Sequence, residues 1–243
     1  MTELTIWDHL FSLGVFVLFP LYSRHTFPAV VEDIRQRGEP AKIASYKQVI
    51  LIWAAFAICT ILIWTTNGRP IALLGAKGME FLPAVLATGV AIAVIAMVVL
   101  PIRSILHSGN GSAELESQLG EVSLFMPETR PEQKWFRWVS INAGVTEELV
   151  YRGYLIWYLT HFLGEWGAAI GAVLLFGLAH AYQGLKQVPG VLLISAVAVG
   201  LFVYTRSLII PVLFHIVLDA LQGHYLARIR RESAIEGAGP SQG

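Results

Sequence analysis

A chain of 243 residues with 55% hydrophobic and only 14% charged side chains lies far from ordinary soluble domains, in which about a quarter of the residues are charged. Its mean hydropathy of +0.61 reflects an apolar excess too large for one soluble core. Seventeen Lys and Arg balance seventeen Asp and Glu, which leaves no global basic field for nucleic acid and no acidic tail. The single cysteine, Cys59, excludes an internal disulfide framework and a cysteine zinc cluster, and its apolar setting reads as that of a small buried hydrophobe.

A hydrocarbon core of about 30 Å takes about 20 helical residues to cross. In chain order the candidate crossings are Ile6 to Tyr22, Val49 to Trp64, Phe81 to Ile102, Trp135 to Phe162, Trp166 to Tyr182, Val188 to Tyr204 and Leu208 to Leu226. The second holds nothing more polar than Cys59 and Thr60, and the third holds no charge. The expected fold class is therefore all-α, a multi-pass transmembrane bundle of about seven spans. The start, Met1-Thr2-Glu3-Leu4, has no basic region and no clear small-residue cleavage site follows, so the first run reads as a span and not as a removable signal.

Two connecting stretches, Ser23 to Lys47 and Ser104 to Lys134, read as cytoplasmic loops with a surface helix each; the second carries Gly109-Asn110-Gly111, Pro127 and Pro131. No internal repeat is visible. The chain reads as one membrane domain with an N-terminal part, 1–126 (spans one to three), a core, 127–227 (spans four to seven), and a flexible cytoplasmic tail, 228–243. Lys and Arg beside spans tend to stay cytoplasmic. With an outside amino terminus and seven crossings, the inner segments hold thirteen of these cations, the outer ones three (Arg69, Lys77, Arg206), and Arg152 lies within a span. The carboxyl terminus is then cytoplasmic. Gly167 with Gly171 and Ala196 with Gly200 form small-xxx-small pairs that let helices approach closely, here within one bundle in preference to a dimer.

Ionisable residues inside the spans carry the chemistry. Glu147, Glu148 and Arg152 lie in the fourth, His180 at the end of the fifth, and His215 and Asp219 in the seventh. The four charged members oppose insertion by about 10 kcal/mol together if they stay separate, so they must meet partners or water. Glu148 and Arg152, four apart, share a helix face and read as a structural ion pair. Glu147 is rotated about 100° from Glu148 and has no cation at that spacing, which suits a general base acting on water. His215 and Asp219 also share a face, so the acid can orient the imidazole or bind the same ligand. Glu147 lies about 15 Å in from Arg137, a depth compatible with one pocket that opens to the inside and includes both histidines. Asp8, His9, His161 and His224, near span ends, read as interfacial.

These residues fall in three ordered boxes: E-E-x-x-x-R at Glu147 to Arg152, F-x-x-x-H at Phe176 to His180, and H-x-x-x-D at His215 to Asp219. Ala143-Gly144, Arg152-Gly153, Tyr182-Gln183-Gly184, Ser207-Leu208 and Pro211 flank them. From about Pro127 to Tyr225 the chain resembles the CPBP family, the type II CAAX prenyl endopeptidases and their bacteriocin-processing and immunity relatives. The resemblance implies an endopeptidase in the plasma membrane of a bacterium or archaeon, acting on a membrane-associated peptide or protein, prenylated or bacteriocin-like. It implies that Glu147 activates a water, that His180 holds that water or a metal, and that His215 with residue 219 stabilises the oxyanion. An ionised aspartate would repel an oxyanion, so Asp219 carries a proton, orients His215 or helps bind a cation. Zn²⁺ held by Glu147, His180 and His215 and a metal-free glutamate mechanism are both open, since H-E-x-x-H is absent. The tail Gly239 to Gly243 has no lipidation cysteine, so the chain is not expected to be a CaaX substrate itself. Two other classes remain: a non-proteolytic scaffold or immunity protein of the same fold, and a proton or ion transporter.

Overall fold

The computed structural model describes residues 3–105 and 120–237. Among these, every regular element is helical: α1 (Ile6–Arg37), α2 (Glu39–Thr66), α3 (Phe81–Ile105), α4 (130–163), α5 (165–179), α6 (Val188–Thr205) and α7 (Ile209–Gly237). Six continuous helical stretches are long and apolar enough to cross a membrane. The longest, Arg130–Gln183, doubles back at Gly164, whose φ of 69° and ψ of 176° fall where only glycine is unstrained. The hairpin arms close through Gly167 against Leu163 and Gly171 against Leu159. That is the intramolecular packing expected of the G-x-x-x-G, and it restores seven helices in the predicted order. Ala196 and Gly200 behave differently: both are exposed, and nothing lies within contact of a side chain built on Gly200.

Several expectations change. Ser23 to Lys47 is no loop: α1 runs on to Arg37, and α2 starts at Glu39 after the break at Gly38. At 32 residues α1 is about 48 Å long, so its charged end, Glu32 to Arg37, extends beyond the 30 Å that apolar residues must cover. Of the second stretch, 106–119 lies outside the described residues, and Gly120–Phe125 is a 3₁₀ turn. From 228 the expected flexible tail is a continuation of α7 to Gly237; 238–243 lies outside the described residues. Cys59 is exposed. In a bilayer the surroundings of a helix are as apolar as a core, so an apolar run does not tell which face points inward.

α4 lies at the centre. Its start is written in the sequence: Thr129 accepts from Glu132 N at 3.2 Å, and Glu132 Oε2 accepts in return from Thr129 N at 3.2 Å, a capping box followed by a proline in the first turn. Around α4 pack α1, α2, α5 and α7, with α3 behind α7. Trp53, Trp64, Tyr151, Tyr154 and Phe176 fill the main core, and Ala87, Ala91, Ala198, Phe214 and Leu218 join α3, α6 and α7. Large apolar side chains cover the outside, from Phe81 (85% exposed) to Trp166 (76%), as they should on a surface solvated by lipid. The chain is thus an integral membrane protein.

The two ends differ. At one, Arg69 forms a buried bidentate pair with Asp8 (2.7 Å to each oxygen) and lies over the rings of Trp64 and Trp157. Asp8, read as interfacial, is fully buried and also meets the Tyr154 hydroxyl at 3.1 Å. The connection after α2 dips into the bundle here, with Leu74 fully buried, Gly75 O accepting from Leu208 N at 3.0 Å, and Lys77 O from Ser207 Oγ at 2.7 Å. At the other, basic end, Arg35 pairs with Glu121 at 2.6 Å, and buried Lys42 reaches Glu128 at 3.3 Å and Glu132 at 3.4 Å.

Candidate active site

In the middle of α4 the helix widens into a π-helical stretch, Glu148–Leu155, in which every residue but Leu149 is buried. Such single widened segments are often found at functional sites. Here it turns Glu148 and Arg152 together toward α6 and α7. Gly144, one turn before, brings α7 close: a Cβ at this position would run into the Ile216 side chain and lie 3.1 Å from Ile216 N and 3.2 Å from Val212 O. That close crossing delivers His215 to α4.

Glu148 Oε1 receives two donors, His215 Nδ1 at 2.8 Å and Arg152 Nη1 at 3.1 Å. The expected ion pair is therefore present, but it is no self-contained structural pair, because the same oxygen fixes a histidine from another helix. His215 Nε2 faces Asp219 Oδ2 at 3.5 Å, beyond the usual length of a strong hydrogen bond. Arg152 Nη2 donates to Ser195 Oγ of α6 at 3.1 Å, and the guanidinium lies 4.5 Å from the centre of the Phe176 ring. Sequence reasoning missed Ser195, since one small polar residue in an apolar helix carries no periodic signal.

His180 ends α5. Its Nδ1 lies 2.8 Å from the Phe176 carbonyl; a carbonyl can only accept, so in the neutral ring Nδ1 carries the hydrogen and Nε2 presents its lone pair. The ring stacks between Phe176 (4.3 Å) and Tyr182 (6.4 Å). Glu147 is 7% exposed, and among the described residues no hydrogen bond or ion pair engages its carboxylate. It lies in the electrostatic field of His215, Asp219, Glu148 and Arg152, and His180 in that of His215, Asp219 and Arg152. His215 and Asp219 are thus adjacent, and Glu147 and His180 each lie within electrostatic reach of both. Side-chain exposure rises from 1% at Glu148 through 15% at His215 to 32% at Asp219, so the site is most open on its Asp219 side, toward the basic end.

His215 Nδ1 is taken up by Glu148, and its Nε2 lies 3.5 Å from Asp219 without a hydrogen bond. Among the described residues no three His, Cys, Asp or Glu side chains are grouped to hold an ion. Glu147, His180 and His215, the ligand set of one of the two alternatives left open, are not grouped in this way among the described residues.

Comparison with known proteins finds one relation. Residues 133–221, little more than a third of the chain, match the family model "Type II CAAX prenyl endopeptidase Rce1-like". No curated protein and no solved structure matches. The matched stretch holds every residue of the site, from Glu147 on α4 to Asp219 on α7, and over it the chain is similar to the Rce1-like type II CAAX prenyl endopeptidases.

Proposed function

We propose that the protein is an intramembrane endopeptidase that cuts a membrane-associated peptide or protein by attack of a water molecule activated by Glu147. The observation that carries this reading is the convergence of α4, α5 and α7 on one recess, sealed by the 2.8 Å contact between Glu148 and His215 across 67 residues of sequence. A buried carboxylate free of other partners is placed to take a proton from water. Nε2 of His180 supplies the second acceptor that holds that water. His215, aligned by Glu148 and oriented by Asp219, serves the oxyanion of the tetrahedral intermediate; this gives Asp219 the orienting role. The basic end is the cytoplasmic one by the excess of Lys and Arg there, so water enters from the cytoplasm.

The test is mass spectrometry of candidate membrane peptides, prenylated and unprenylated, incubated with purified protein. Glu147→Ala and His180→Ala are each expected to lower cleavage by about 10²- to 10⁴-fold, the usual contribution of general acid–base groups, with thermal unfolding unchanged. Retained turnover in either variant overturns the assignment. Activity is expected to survive chelation; loss restored by Zn²⁺ would show that the histidines regroup around a metal.

A further inference from the structure

Arg152 is 1% exposed, and a guanidinium so deeply placed depends on its neighbours to satisfy its N–H groups. Its holders are few. Nη1 goes to Glu148 Oε1, Nη2 goes to Ser195 Oγ, the Ser195 carbonyl lies at 3.5 Å, and the ring of Phe176 covers one flat face. Nε, Nη1 and the second oxygen of Glu148 are sealed from solvent without a well-formed hydrogen bond; the contact from Nη1 has the distance of an ion pair but not the angle of a hydrogen bond. The guanidinium is thus not fixed by Glu148 alone. The well-directed bond at its far end is the one to the hydroxyl of Ser195, itself fully buried on α6.

Since Glu148 Oε1 is at once the ion-pair partner of Arg152 and the hydrogen-bond acceptor of His215, whatever sets the guanidinium sets the carboxylate, and the carboxylate sets the imidazole. We propose that Ser195 is a positioning residue: its hydroxyl anchors Arg152, which through Glu148 fixes the orientation of His215 over the recess. The chain of contacts runs from α6 to α4 to α7, and no member of it except His215 faces the recess. This role deepens the proteolytic reading and rests on it for its catalytic consequence, but not for its structural one.

The experiment uses full-length protein in lipid nanodiscs with ¹⁵N-labelled histidine, together with steady-state cleavage. Ser195→Ala is expected to shift the ring nitrogen resonances of His215 but not those of His9, and to lower kcat about ten- to hundredfold, the scale of one hydrogen bond to a charged group, with KM unchanged. Ser195→Thr, which keeps the hydroxyl, is expected to restore both. Unmoved His215 resonances in a folded Ser195→Ala protein overturn the proposal. So does a Ser195→Thr variant that folds, as judged by circular dichroism, yet loses as much as Ser195→Ala, because the site would then require volume and not a hydroxyl. Should the wild-type chain cleave nothing, a His215 shift that Ser195→Thr reverses still upholds the anchor while the proteolytic reading fails.

Discussion

Two buried arginines do opposite work in this molecule. Arg152 links Glu148 to Ser195 beside the proposed site, whereas Arg69, at the Asp8 end, closes α1 onto the turn after α2 with both of its terminal nitrogens on one carboxylate. The side chains of Asp8 and Arg69 are 0% and 1% exposed, so removing one partner strands the other. Arg69→Ala is expected to destabilise the protein by about 3–5 kcal/mol, read as a lowered midpoint in detergent unfolding. Asp8→Asn combined with Arg69→Met should recover part of the loss. At this scale the sequence was legible where partners share a helix: Glu148 with Arg152, and His215 with Asp219, both four apart. It was illegible where they do not. Sixty-one residues separate Asp8 from Arg69, and 67 separate Glu148 from His215, and spacing along one helix says nothing about which distant helix will lie beside it. Asp8 near a span end therefore read as interfacial.

Among the elements, the crossing of α4 and α7 is the one on which the recess turns. Gly144→Ala would force α7 away from α4 at Ile216, one residue from His215. Cleavage is expected to drop about a hundredfold, the usual cost of an ångström of misplacement in a reacting site, as measured by kcat for the same peptide. Gly200→Ala, which meets open space, should leave it unchanged and serves as the control. The glycine signals in the sequence were real but not equal. Gly167 and Gly171 pack the α4–α5 hairpin, while Ala196 and Gly200 face outward, because a small-residue pair permits close approach without requiring it. The reach of α1 to Arg37 was hidden by its polar second half, in which hydropathy fades although the helical hydrogen bonds continue. The widening of α4 at Glu148–Leu155 leaves no mark in composition.

For the whole molecule, the number and order of spans followed from the apolar runs, because a bilayer of fixed thickness imposes length on each of them. Their arrangement around α4 did not, since every apolar face is acceptable to lipid. Orientation can be checked with the chain's own chemistry. Cys59 lies in mid-span and faces outward, so a membrane-impermeant maleimide is expected to leave the native protein unlabelled. Asn67→Cys should label on intact cells, and Gln36→Cys only after permeabilisation; the reverse pattern would invert the topology. The gradient of exposure along α7 has a further consequence for the proposed cleavage. The site's more exposed side, at Asp219, is the doorway to the aqueous phase. The severed halves of a substrate must part at that threshold, the freed end diffusing off into solution while the greasy remainder slips sideways among the phospholipids.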